Sequence, residues 1–507
     1  MTVPAFLQTR NGRASPKADV PELPLSAFRT EIIASVVRGD RLVALFGCAH
    51  PECAVELWAV LASDRAGVLR LARTRVSGDA YPSITPECPE AHLFEREIAE
   101  QWAVVPEGHP WLKPVRFVTP LRAGADVWSR GRDALRAGVM DFYRVEGEEV
   151  HEVAVGPVHA GVIEPGHFRF QCDGEEVLHL EISLGYQHRG VERAFVGGPT
   201  KRTIHYAETL CGDSTVGHAS AYCHLVEALA RDRVPARALA LRAIGLELER
   251  LANHTGDLGA LANDVGFLPT ASFCGRLRGD FLNLTATICG SRFGRGLVRP
   301  GGVGFDVDDG QARAMSERLS TALRDVQNAA DLLWSSASVM SRFENTGRVP
   351  EETARTLGLV GYSARASGLY RDVRYDHPWG IYRFRKIPVS VMHTGDVFAR
   401  AYVRWLEIRR SAVFVREHLE ALPKGQTRAP HAELAPDHVC VSMIEGWRGE
   451  ICHVAITDVE RKFAAYKVVD PSFHNWIGLA MALRDQAISD FPLCNKSFDL
   501  SYCGHDL

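Results

Sequence analysis

The chain has 507 residues, 58 Lys+Arg against 62 Asp+Glu for a formal net charge of −4, and 46% hydrophobic residues. That length predicts two to four domains and at least one large core, and the near-neutral balance excludes a generally basic nucleic-acid binder. Twelve cysteines occur with no C-x-x-C among them, which excludes zinc-ribbon, thioredoxin and c-type haem signatures.

Residues 1–25 show little periodicity and are expected to be a flexible arm. Strands are predicted at 41–47, 54–62 and 67–76, where the residues are apolar or alternate, and a helix at 90–102. Residues 26–120 thus read as a small α+β domain, and 121–150 as a polar linker. The remainder, 151–507, reads as one large domain. It opens with strands at 153–158, 167–171 and 177–184, with Asp173-Gly174 as a hairpin turn. A long helix is predicted over 203–230, a second from Val234-Pro235 with a core-facing stripe at Leu239, Ile244, Leu248 and Leu251, and further helices at 311–334 and 397–422. These predict a helical bundle. A Gly- and Arg-rich loop region is expected at 358–385, and a strand-like piece at 439–457 before a C-terminal tail. The fold class is therefore α+β. The N-terminus does not read as a signal peptide, and no apolar run approaches the ~20 residues that span a bilayer, so a cytoplasmic chain without a membrane span of its own is expected. Most of the thiols are expected to be buried and inert.

No P-loop, no strand-linked G-x-G-x-x-G and no H-E-x-x-H is present. Longer motifs carry more. The first block holds Tyr81-Pro-Ser-Ile-Thr-Pro86, Ala91-His-Leu-Phe-Glu-Arg-Glu97 and Gly108-His-Pro-Trp-Leu112. The second holds Gly156-Pro-Val-His-Ala160, Glu164-Pro-Gly166, the run 185–193 (GYQHRGVER), the run 207–218 (AETLCGDSTVGH), Glu249-Arg-Leu-Ala-Asn-His254, Asp257-Leu-Gly259, Gly290-Ser-Arg-Phe-Gly294, Gly301-Gly-Val303, Ala364-Arg-Ala-Ser-Gly368, Tyr375-Asp-His-Pro378, Arg448-Gly-Glu450, Asp470-Pro-Ser-Phe473 and Asp490-Phe-Pro-Leu493. In order and spacing the first set resembles the 30-kDa subunit of respiratory complex I. The second resembles its 49-kDa subunit and the large subunit of membrane-bound [NiFe] hydrogenases. The fused arrangement is similar to the large subunits of formate hydrogenlyase and hydrogenase-4.

The resemblance implies four thiolate ligands for a [NiFe] centre, because soft sulfur holds these metals. At the matching positions this chain has Cys211, Ser214, Ser501 and Gly504, with Cys503 one residue off. Hydroxyl is a poor ligand for a soft metal and glycine offers none, so the resemblance implies a cavity without metal and no cofactor in this chain. Glu164 matches the family's proton-relaying glutamate, Arg448 the arginine over the metal pocket and Asp499 the aspartate before the C-terminal ligands. These three are candidate cavity or proton-relay residues; a purely structural Arg448–Asp499 ion pair is the alternative. His159 and His218 are candidate lining residues, and His254 is expected to be a core histidine. Quinone binding and NAD(P)H-linked chemistry come with complex I, but the diagnostic quinone tyrosine position falls at Gly212.

The partners implied are a small iron–sulfur subunit carrying the cluster, a ferredoxin-like subunit and antiporter-like membrane subunits. The place implied is the cytoplasmic face of the inner membrane. Three readings follow: a complex I-like subunit without a [NiFe] centre that couples redox chemistry to ion translocation, an active hydrogenase with altered ligands, or a redox-silent scaffold.

Overall fold

A computed structural model describes residues 5–122, 124–131, 135–159 and 163–507. Its α+β architecture is built from antiparallel sheets around a helical bundle. The first sheet pairs Arg41–Cys48, Val55–Ser63 and Val68–Val76, with the helices Leu25–Val37 and His92–Trp102 packed on it. The expected strands and helix of 26–120 are therefore present, within one or two residues.

The N-terminal arm is a correction. Over the described residues 5–25 it is built into the fold. Leu7–Thr9 forms the outer strand of the first sheet against Val68–Val76. Ser15–Pro16 then pairs with His438–Glu445. Between them Asn11 Nδ2 donates to the carbonyls of His377 and Met443 at 2.8 Å each, and its Oδ1 accepts from the Met443 amide at 2.8 Å. A polar segment can be well ordered when its side chains pair distant backbone groups, and periodicity does not register this.

The piece expected at 439–457 is a hairpin of His438–Glu445 and Glu450–Thr457, extended by Phe463–Val469. This sheet divides two cores. Val439, Val441, Met443, Cys452, Val454 and Ile456 join the N-terminal core. Cys440, Ile444, Ile451, Ala455, Tyr466 and Val468 face the large core. The alternation of side chains along a strand produces that split, and burial on both faces explains the nearly continuous apolar run. It also aims His453 into the large domain, since residues 451, 453 and 455 share a face. The boundary expected near residue 120 is thus bridged by a sheet that both parts pack against.

The third sheet is Val150–Val155, His167–Asp173 and Glu176–Ser183, turned at Gly174 with φ +55°. The bundle consists of Ala236–Asp264, Leu268–Cys289, Asp309–Ser335 and Val397–Glu420, each packed against two neighbours. The helix Leu268–Cys289 has no counterpart in the sequence expectation. Its buried positions Cys274, Leu277, Phe281, Leu284 and Ile288 are diluted by exposed polar residues. The helix expected over 203–230 is broken into Thr203–Glu208 and Thr215–Ala230. The loop region 358–385 carries the short helices Gly361–Ala366 and Val373–Asp376. The expected tail folds as Pro471–Ala482, Phe491–Phe498 and Tyr502–Asp506. No helix of the described residues is long and apolar enough to cross a membrane.

Candidate functional site

The break at 209–214 and the last ten residues of the chain meet. Two features open the helix there. Glu249, on the bundle helix, accepts from the backbone amides of Val216 at 2.7 Å and Gly217 at 3.2 Å. Burial pushes the Glu249 carboxyl up to about 8, and its two oxygens satisfy amides at the helix N-terminus that would otherwise be unpaired, so the second helix begins where Glu249 stands. The preceding turn is fixed through the Asp213 carbonyl, which accepts from Asn253 Nδ2 and Trp447 Nε1 at 2.9 Å each.

Arg448 closes this turn against the C-terminus. Its guanidinium lies 3.9 Å from the Trp447 ring centroid. It donates to Asp213 Oδ1 and Oδ2 at 2.6 and 2.9 Å, to the Asp499 carbonyl at 2.6 Å and to Cys211 Sγ at 3.4 Å. Asp499 Oδ2 is 3.7 Å away. Arg448 and Asp499 therefore converge as expected, and Asp213 joins them. Asp499 is held in the left-handed region, φ 37°, at the C-terminal cap of Phe491–Phe498. Burial pushes its carboxyl up, but Lys496, 3.2 Å away, and Arg448 outweigh that and bring it down to about 2. Asp257 goes the other way. Burial and the neighbouring Asp499 charge push it well above the carboxylate range, although Arg404 Nε donates to it at 2.8 Å.

The four matched ligand positions are occupied as follows. Cys211 is buried; its thiol lies 3.0 Å from Asp213 Oδ1 and 3.1 Å from Ser501 Oγ. The Cys503 thiol, then burial, push it well above the ordinary thiol range. Ser214 is the N-cap residue of Thr215–Ala230, with no side-chain capping bond. Ser501 Oγ accepts from the Gly504 amide at 2.9 Å and lies 3.4 Å from Cys503 Sγ. Gly504 packs on Asp470, whose Cγ is 2.6 Å from where a Cβ would stand. Cys494, on Phe491–Phe498, packs under Gly347. Among the described residues, no group of three or more His, Cys, Asp and Glu side chains is placed to hold a metal ion.

Glu164 approaches from the other side of the last turn, half-buried, accepting from the Tyr502 and Cys503 amides at 3.2 Å each. His159 is not part of the site: its Nε2 is 3.0 Å from the Gly166 carbonyl of its own loop, and residues 160–162 between them lie outside the described residues. His254 is a core histidine, 3.0 Å from Glu407. His218 is fully buried and lies behind Gly504. Its Nε2 is 3.1 Å from Asp470 Oδ2, its Nδ1 is 3.1 Å from His453 Nε2, and His453 Nδ1 is 2.8 Å from the Tyr466 hydroxyl. Tyr466 in turn lines a cleft of about 910 Å³ between the N-terminal domain and the large domain, with Trp102, Phe117, His188 and Arg189. A row of buried hydrogen-bonding groups thus runs from the cleft to the C-terminal turn.

Sequence reasoning missed Asp213, Asp257, His453 and Lys496 as site residues. Asp213 and Asp257 stand inside the matched motifs, so the signal was present. His453 becomes visible only through strand parity, and Lys496 only through the helix that returns it to Asp499.

The description "Respiratory-chain NADH dehydrogenase, 49 Kd subunit" matches residues 264–439, and "Respiratory-chain NADH dehydrogenase, 30 Kd subunit" matches residues 32–126. Formate hydrogenlyase subunit 5 of Escherichia coli is 31% identical over 84% of this chain and 78% of its own length. The carbon monoxide-induced hydrogenase of Rhodospirillum rubrum is 30% identical over 69% of this chain and 97% of its own. NADH-quinone oxidoreductase subunit 4 of Thermus thermophilus is 29% identical over 69% and 92%.

Proposed function

Because the chain belongs to the family that joins formate hydrogenlyase subunit 5 and membrane-bound hydrogenase subunit alpha to the 30-kDa and 49-kDa subunits of complex I, we propose that it is the core subunit of a membrane-associated oxidoreductase complex that works without a [NiFe] centre. In this reading it couples redox chemistry, NAD(P)H- or quinone-linked, to ion translocation. It docks a small iron–sulfur subunit, a ferredoxin-like subunit and antiporter-like membrane subunits, and sits peripherally on the cytoplasmic face of the inner membrane. No cofactor is assigned to the chain itself.

One observation carries the reading: the residues at the four ligand positions do not fit the centre. Only Cys211 supplies sulfur. Ser501 spends its hydroxyl on a backbone amide, and the Gly504 position is closed by the Asp470 carboxylate. Arg448, Asp213 and Cys211 bond to one another where soft donors would have to face a metal.

The row Tyr466–His453–His218–Asp470 supports a role in moving protons. Tyr466, His453 and His218 can each donate on one side and accept on the other, and the Asp470 carboxylate accepts at the end of the row. Glu164→Gln tests the coupling part. It keeps an oxygen for one of the Tyr502 and Cys503 amides, turns an NH2 group toward the other and removes the titratable carboxyl. Coupled turnover of the purified complex should fall with the complex intact, whereas unchanged turnover would favour the redox-silent scaffold.

A further inference from the structure

Two thiols stand at the C-terminal turn, and the groups around them are those that thiol chemistry needs. Cys211 lies on the broken-helix turn, and Cys503 in the first turn after Ser501. The Ser501 hydroxyl stands 3.1 Å from one sulfur and 3.4 Å from the other. Cys211 has an acceptor for its proton, Asp213 Oδ1 at 3.0 Å. It also has a cation beside its sulfur, Arg448 Nη1 at 3.4 Å. Cys503 is half-buried, in contrast to Cys211, and so is the sulfur a solvent-borne reagent meets first. Most of the other cysteines are buried singly in the two cores.

We propose that Cys211 and Cys503 form a redox-active dithiol, which a small-molecule disulfide oxidises to an intramolecular Cys211–Cys503 bridge. Cys503 gives up its proton to solvent, and its thiolate attacks one sulfur of the reagent, forming a mixed disulfide and expelling the first thiolate, which takes up a proton. Cys211 passes its proton to Asp213, and its thiolate attacks Cys503 Sγ. The protein S–S bond forms, the mixed disulfide breaks, and the second thiolate leaves and takes up the proton that Asp213 had received. One external disulfide is reduced to two thiols, and the protein loses two electrons and two protons. The second step is intramolecular, so the mixed disulfide is short-lived. The bridge would tie the C-terminal turn to the turn that Arg448 closes, making the couple a two-electron group where those two turns meet. This rests on the metal-free reading of the same site: nickel held by Cys211 would overturn both, whereas a metal-free chain that forms no bridge overturns only the dithiol.

The test uses the full-length reduced protein, metal content measured beforehand, incubated with glutathione disulfide. Free thiols are then alkylated under denaturing conditions and the peptides are mapped by mass spectrometry. The expected result is a linked Cys211–Cys503 peptide, two hydrogens lighter than the reduced pair and reversed by dithiothreitol. Cys211→Ser should abolish the bridge and instead trap a glutathione adduct on Cys503. Cys503→Ser should abolish the bridge and leave Cys211 reduced. A stable glutathione adduct on Cys503 of the unsubstituted protein, with Cys211 free, would overturn the proposal. So would both thiols remaining free under conditions in which the urea-unfolded chain is modified at both.

Discussion

Placing the family's ligand back at position 504 should damage the fold before it could build a metal site. A Cβ on residue 504 would lie 2.6 Å from Asp470 Cγ and 2.7 and 2.8 Å from its two oxygens. That carboxylate is not free to retreat. One oxygen accepts from the Ser472 amide at 2.8 Å, capping Pro471–Ala482, and the other is 3.1 Å from His218. The whole group is buried. Overpacking of this kind costs about 1–3 kcal/mol, and a displaced cap adds about 1 kcal/mol. Gly504→Ala and Gly504→Cys should therefore each cost about 2–4 kcal/mol. If the 507-residue chain melts as one unit, with an unfolding entropy of about 2.1 cal/mol/K per residue, the melting temperature falls by roughly 2–4 °C. Differential scanning calorimetry measures the shift. Ring ¹⁵N shifts of His218 report whether Asp470 has moved. An alanine variant that melts with the unsubstituted protein and leaves the His218 signals in place would refute the argument that this position is closed.

Other expectations follow from the same contacts. Arg448→Ala leaves Asp213 and Asp499 without their shared cation and should cost about 3 kcal/mol, the low end for a broken buried pair because Asp213 is partly exposed; equilibrium denaturation checks it, and a change below about 1 kcal/mol would show that the cluster holds little together. Asn11→Ala orphans two carbonyls and an amide and should cost about 2–4 kcal/mol with faster hydrogen exchange at Met443; unchanged exchange would return the N-terminal segment to the status of an arm. Burial lowers His254 and His474 to about 4 and His92 and His224 to about 3. The folded values lie below the unfolded value of 6.5, so the unfolded chain takes up protons that the folded one refuses. Stability is then full above about pH 7 and falls with acid, by about 2 kcal/mol per histidine between pH 7.5 and 5. A denaturation midpoint independent of pH over that range would contradict this.

The sequence was legible where local pattern and global fold agree. The strands of the first sheet, the 150–184 sheet and the long bundle helices follow from periodicity. Long-range satisfaction was not legible. Asn11 is ordered by backbone groups far along the chain, and the 203–230 helix is broken by a carboxyl group on the next helix, Glu249. Neither leaves a mark on local composition. Leu268–Cys289 escaped because its partly exposed stripe is weakly amphipathic. At the site, Arg448 and Asp499 met as their motifs implied. His159 fell outside because a histidine that pairs within its own loop looks, in sequence, like one that lines a cavity.

The central claim is that this hydrogenase-like cleft works without nickel. Nickel and iron per chain, measured on the intact complex purified from membranes and alongside an assay of H₂ uptake and evolution, tests it most directly. The account predicts no nickel, iron only in amounts accounted for by the partner subunits' clusters, and no H₂ turnover. About one nickel per chain together with H₂ turnover would contradict it.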